Sequence, residues 1–449
     1  MPPADTTVDA PWSPYDDAMP HPLRRDIPAA AATFAGLRTR RGGHAGALTS
    51  VRRLVVVVSS SRGGSTLVGE MLRRTPGVLT LRAEINPLFV VAGLEEEHRT
   101  KALAAEIAAE TGRPTDRLTD ENRADFTAAV AWRLTAQWPD AGIDPDRVER
   151  WVDETLRDLA AADPAWSPPA FPDRATFHLR LLAKVRAAHP TVNPWYYDVP
   201  AALIQKAFPD VPEPAGPPSQ HIVEMPPFVL VGPWERATAS DFAAAPLVLT
   251  TPRNSLRLSF LRSLFPSARL QIVHLVRNPA AAVNGLIDGW CHRGFFNIAV
   301  DRPLRIGGYS DVFPGWGDRW WNYDFWPGWE AWTGEPLASV CLEQWRTHHQ
   351  AVLDWLDETG VEHERLAFEG VIAGDDDERR AAFAPLAAWL GEAGVEGLTE
   401  LRLPPLMATA PPRPRRWADR ADDLLPAVTT GPVRELAERL GYGDPATWR

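Results

Sequence analysis

The chain has 449 residues, enough to bury a large core as one elaborated domain or two. Its hydrophobic fraction of 45% and charged fraction of 23% are those of an ordinary globular protein, and a net charge of -11 argues against a general nucleic-acid binder. Cys291 and Cys341 are too few for a disulfide framework and suit a reducing cytosol, and no apolar run has the length of a membrane span.

Residues 1–50 are rich in Pro, Ala and Arg and lack periodicity and a signal-peptide core. They read as an N-terminal arm, partly disordered or packed on the surface. Residues 51–449 read as the folded unit that follows. Leu54 to Val58 is a continuous aliphatic run, the pattern of a strand buried on both faces of a parallel sheet. Ser59 to Gly64 is a tight loop, and Ser65 is placed to cap a helix that carries Leu67, Val68, Met71 and Leu72 on one face. A strand, a Gly-containing loop and a helix start make an anion cradle. Arg62 adds a fork-shaped cation, and Ser65 and Thr66 add hydroxyls. The Lys of a Walker A loop is missing. The only lysines are Lys101, Lys184 and Lys206, so anion binding must rely on Arg and backbone amides.

Val78 to Leu81 is a short second strand with Glu84 just beyond it. That is where open α/β sheets place ligand-binding groups, and it is equally a place for an ion-paired acid. Residues 94–245 read as a helical and Pro-rich insertion covering the sheet's C-terminal edge, where insertions commonly shape a substrate pocket, with helices over 101–111, 123–137 and 147–161. The α/β pattern returns with a strand at Leu247 to Leu249, a helix over 255–264 and a strong strand at Leu270 to Val276. Arg277 follows that strand, and Pro279 suits the first turn of the next helix. His274, flanked by apolar residues within the strand, reads as a core histidine. The stretch 307–332 is dense in Trp and either lines a pocket or packs as a large loop. A long helix over 337–357, a strand over 365–368, a helix over 378–390, a basic loop at Pro411 to Trp417 and a helix over 433–440 complete the chain. The fold class expected is α/β, a central parallel sheet flanked by helices with a large helical insertion.

Two Arg-bearing strand-loop-helix units together resemble the sulfotransferases that use 3'-phosphoadenosine 5'-phosphosulfate. SSSRGGSTL resembles the 5'-phosphosulfate loop, with Arg62, Gly63, Gly64, Ser65 and Thr66 on its positions. IVHLVRNPAAAVNGL resembles the 3'-phosphate segment, with Arg277 on its Arg and Gly285, beside Asn284, where relatives carry Ser. Thr250 stands where relatives often have Lys. RRWADR is similar to the C-terminal basic loop of bacterial members, which assigns Arg415, Arg416 and Trp417 to the nucleotide. A Glu after the loop-helix unit is the general base in several branches, and Glu84 matches it. His292 is the reserve candidate.

The resemblance implies a P-loop-like fold and a cytoplasmic, bacterial enzyme of secondary metabolism. It would move a sulfuryl group to a hydroxyl or amine of a small molecule of natural-product type. The product nucleotide would be adenosine 3',5'-bisphosphate, with no metal, nucleic acid or membrane partner. Two other readings stay open: a P-loop kinase with Arg62 in the Lys role, and a non-catalytic nucleotide-binding protein.

Overall fold

Leu54, Val56 and Val58 face one core while Val55 and Val57 face another, so the strand they form is buried on both sides, as its unbroken aliphatic run requires. This computed structural model describes residues 47–85, 88, 99–138, 141–217, 230–292, 297–300 and 302–448. Its strands are β1 Arg53–Val58, β2 Leu79–Leu81, β3 Thr111–Pro114, β4 Trp234–Arg236, β5 Leu247–Thr250, β6 Arg269–Val276, β7 Asn297–Ala299, β8 Trp320–Asn322 and β9 His363–Ala367.

Seven of them form one sheet in the order β4-β3-β2-β5-β1-β6-β9, while β7 and β8 pair separately. The pairs β2–β5, β5–β1, β1–β6 and β6–β9 are parallel. The expected α/β architecture is therefore present. Because these five strands run the same way, the loops after β1, β2, β5, β6 and β9 all leave from one edge. The chain enters at β1, in the middle, and later places β5 on one side of it and β6 on the other. The loop after β1 thus sits at a topological switch point, the place where such sheets bind ligands.

The helices that matter for the site are α1 Ser65–Arg73, α2 Arg99–Glu110, α3 Asp120–Gln137, α4 Pro145–Ala162, α5 Arg174–Ala188, α6 Pro279–Trp290, α7 Leu337–Thr359 and α8 Gly431–Arg439. The insertion is not only helical. It also supplies β3 and β4, which add to the sheet edge antiparallel. Thr111–Pro114 reads TGRP and carries no strand pattern; its pairing with β2 and β4 makes it a strand.

Two local expectations need correction. The helix expected over 255–264 is a 3-10 turn, Pro252–Leu256, and a separate helix, Leu258–Leu264. The helix expected over 378–390 is broken into Asp376–Phe383, a 3-10 turn Ala384–Leu386 and Ala387–Leu390. Pro385 at that break lacks the N–H a continuous helix would need. Most of the N-terminal arm lies outside the described residues. Its last part, Ala47–Ser50, is a 3-10 turn that puts Leu48 into the core.

Of the two readings of the Trp-rich stretch, packing accounts for its buried rings. Tyr309, Trp321, Phe325 and Trp329 are almost fully buried, and with Trp290 of α6 and Trp345 of α7 they form a second core. Trp290 meets Trp321 edge-on at 5.0 Å, a favourable aromatic geometry. His274 is buried, with Nε2 2.8 Å from His349 Nδ1, and burial pushes its pKa down to about 3. It is a neutral core residue. Among the described residues no helix is long and apolar enough to cross a membrane.

Candidate active site

The loop after β1 is shaped by two glycines. Gly63 N–H donates to Ser60 O at 3.1 Å, and a Cβ on Gly63 would sit 2.8 Å from that oxygen. Gly64 has φ 102, and a Cβ there would reach within 2.2 Å of the Phe368 ring. Only glycine fits both conditions. Gly64, not Ser65, takes the N-cap position of α1, and Ser65 is the first helical residue. Gly63 N–H is therefore engaged in closing the turn. Gly64, Ser65 and Thr66 belong to the amides that a helix start leaves without an intrahelical carbonyl. The hydroxyls of Ser59 and Ser60 are buried and have no hydrogen-bond partner among the described residues. A loop with spare amides, orphaned hydroxyls and no room for side chains fits a tetrahedral anion.

Arg62 adopts φ 63, uncommon for a side-chain-bearing residue. Its guanidinium donates to Met407 O at 2.8 Å and to Thr409 Oγ1 at 3.3 Å. Arg277, at the end of β6, donates from Nη1 to Arg62 O at 3.1 Å and lies 4.9 Å over the Phe368 ring. Burial lowers its pKa to about 10, and it remains a cation at neutral pH. The two Arg-bearing loops, 215 residues apart in sequence, thus form one cradle. Gly285 faces the same cradle, since a Cβ on it would lie 3.3 Å from Arg62 Cβ. Thr250 packs against α1, 3.2 Å from the position of a Cβ on Gly69.

Asn284 does not stand alone. Its Oδ1 accepts from Arg420, and Arg416 and Arg420 both pair with Asp288 one turn later on α6. Arg420 and Asp288 were not singled out from the sequence, although Arg420 closes the RRWADR motif. Arg415 has φ 48 and its guanidinium lies 5.3 Å from the Trp417 ring. Trp417 is placed differently from the expectation. Its ring is 3% exposed and packs edge-on to Trp448 at 5.9 Å, so it belongs to the second core and presents no face to an adenine. His292 follows the C-terminal end of α6. It stands seven residues beyond Gly285, and its N–H donates to Gly289 O at 3.1 Å.

Glu84 accepts a hydrogen bond from Thr251 Oγ1 at 3.1 Å, which joins the segments after β2 and β5. Burial pushes its pKa up to about 7; the Thr251 hydrogen bond opposes this, and the charge of Asp324 adds to it. Arg73 and Arg257 pull the other way. Asp324 gave no sequence signal beyond its place among the aromatics. It accepts from the Ser61 hydroxyl and from Arg253 Nε at 2.6 Å, and it lies 3.7 Å from His348 Nε2. Glu369, in the segment after β9, accepts from Asn278 N–H at 3.0 Å and from the Tyr442 hydroxyl at 2.7 Å. It ties the start of α6 to the segment after α8. Among the described residues no His, Cys, Asp and Glu side chains gather into a group able to hold a metal.

A sequence model of the sulfotransferase family matches residues 55–288, from β1 through most of α6. The chain belongs to the sulfotransferase family. The matched segment contains both Arg-bearing loops, Glu84 and the whole insertion of this sulfotransferase. It leaves out the Trp-rich loop, Asp324 and the C-terminal basic segment. No curated protein matches the chain. Among solved structures, a sulfotransferase domain from the curacin biosynthetic pathway is similar at 12% identity and a TM-score of 0.35. The similarity covers 88% of this chain and 99% of that one.

Proposed function

We propose that this sulfotransferase takes its sulfuryl group from 3'-phosphoadenosine 5'-phosphosulfate and gives it to a hydroxyl or amine of a small natural-product-like acceptor. The observation that carries the reading is the contact of Arg277 Nη1 with Arg62 O at 3.1 Å, which makes one cationic cradle of two loops at the switch point. A donor with phosphate on both the 3'- and the 5'-oxygen of its ribose needs two such centres.

In the reaction, the acceptor oxygen forms a new bond to sulfur while the bond between sulfur and the bridging phosphate oxygen breaks. The electron pair of that bond leaves with adenosine 3',5'-bisphosphate. Arg62, the amides of Gly64 to Thr66 and the dipole of α1 stabilise the charge that grows on the leaving phosphate. Arg277 holds the 3'-phosphate, with Asn284, Arg416 and Arg420 close by. Glu84 receives the acceptor's proton. Its pKa of about 7 makes it a base near neutral pH and a proton holder afterwards.

The test is transfer of labelled sulfate from the donor to a panel of hydroxyl- and amine-bearing metabolites, with calorimetric binding of adenosine 3',5'-bisphosphate against ATP. Sulfated product and a clear preference for the bisphosphate are expected. Equal binding of ATP together with phosphate transfer would sink the reading.

A further inference from the structure

Asp324 is delivered to the donor loop by the second core. Gln344 Nε2 of α7 donates to the carbonyls of Asn322 at 2.9 Å and Asp324 at 3.1 Å, and Trp290 Nε1 of α6 donates to Gln344 Oε1 at 3.0 Å. Tyr323, with φ 63, turns the chain, and its hydroxyl occupies the space beside Gly289 that a Cβ would need. The backbone of Asp324 is therefore fixed before its carboxylate meets anything. That carboxylate is 5% exposed by residue and reaches three other segments. The Ser61 hydroxyl of the donor loop donates to Oδ2, Arg253 Nε donates to Oδ1 at 2.6 Å, and His348 Nε2 of α7 is 3.7 Å from Oδ2. Arg253 stands two residues after Thr251, whose hydroxyl holds Glu84. One segment therefore carries both the hydroxyl bound to Glu84 and a guanidinium bound to Asp324.

We propose that Asp324 is a positioning residue of the transfer reaction, anchoring the donor loop through Ser61 and holding the Arg253 guanidinium to itself and away from Glu84. This rests on Glu84 acting as the base. Among the described residues, those that face Glu84 include the Thr251 hydroxyl and the charges of Asp324, Arg73 from α1 and Arg257. Among those that face Asp324 are Ser61, Arg253, His348 and the buried Arg257, which acts on both carboxylates. With Asp324 in place, a like charge disfavours ionisation of Glu84 and the nearest segment's Arg253 is neutralised; both effects keep the Glu84 carboxyl basic. Asp324 also couples the Trp-rich lobe, which lies outside the family match, to the chemistry inside it.

The experiment compares pH profiles of kcat at saturating donor and acceptor for the full chain, Asp324→Asn and Arg253→Gln, each first shown folded by thermal melting. In Asp324→Asn the acid limb should move to lower pH, and in Arg253→Gln to higher pH, each by roughly one unit. KM for the donor should also rise in Asp324→Asn, because the amide offers one acceptor oxygen to two donors, Ser61 and Arg253. Lower kcat with an unmoved limb in both variants, or shifts of the same sign, would overturn the proposal and leave a merely structural ion pair. If the parent has no acid limb that Glu84→Gln removes, the base assignment fails on its own account. The coupling is then read without turnover, by carbon-13 NMR titration of the Glu84 carboxyl. Opposite shifts in the two variants support it and equal titrations refute it. Should Asp324→Asn not fold, the upward shift in Arg253→Gln decides.

Discussion

Thr251 Oγ1 donates a 3.1 Å hydrogen bond to Glu84 Oε2 across 167 residues of sequence, joining the segments that follow the neighbouring strands β2 and β5. The bond holds a half-buried carboxylate near the loop after β1, where desolvation pushes its pKa up from 4.5 to about 7.

Glu84→Gln keeps the shape and removes the base. Turnover should fall by about 10²- to 10⁴-fold with donor affinity kept. The parent's kcat should rise with pH through about 7 as Glu84 deprotonates, and this limb should vanish in the variant. The stability effect has the opposite sign. A carboxyl whose folded pKa is raised binds its proton more tightly in the folded state, so its contribution favours folding at low pH and erodes between about 4.5 and about 7. The melting temperature of Glu84→Gln should gain on the parent's as pH rises across that window.

Arg62→Ala should nearly abolish transfer while the protein stays folded. A charge-assisted contact to the donor is worth roughly 1.5–3 kcal/mol in binding, and more where it strengthens in the transition state. Near-parental turnover in single-turnover assays would show that the loop after β1 is not the donor cradle.

Arg277→Ala should weaken nucleotide binding more than it lowers kcat at saturation, because the 3'-phosphate is remote from the sulfur and its contact is close to uniform binding. Calorimetry with nucleotides that differ only in the 3'-phosphate gives the answer. The parent should discriminate strongly and the variant weakly.

Gly64→Ala tests the loop itself. The new Cβ meets the Phe368 ring at 2.2 Å and must tolerate φ 102. The left-handed backbone alone costs roughly 1–2 kcal/mol, and the clash adds to it. Combining the change with Phe368→Ala should remove the clash but not the backbone cost, so denaturant unfolding should show only partial recovery relative to Phe368→Ala alone.

Much of the site could be read from the sequence because its signals are local. The aliphatic run of β1, the Gly-bearing loop and the apolar stripe of α1 lie within twenty residues, and so do β6, Arg277 and Pro279 at the start of α6. Strand burial, turn flexibility and helix periodicity each leave a mark on neighbouring residues. These mark the sheet class and the candidate cradle, and they put Glu84 just after β2. The tertiary structure decided what depends on which distant segments meet. Ser61 finds Asp324 across 263 residues and Arg253 finds it across 71, and no spacing rule announces either pair. Thr111–Pro114 is a strand because β2 and β4 flank it, against its own composition. Trp417 lies in a basic loop that reads as a nucleotide contact, yet Trp448 and the second core bury its ring. A side chain's type and its neighbours in sequence are local properties, whereas its burial and its charge partners come from the whole packed chain, and it is those that set the pKa of Glu84.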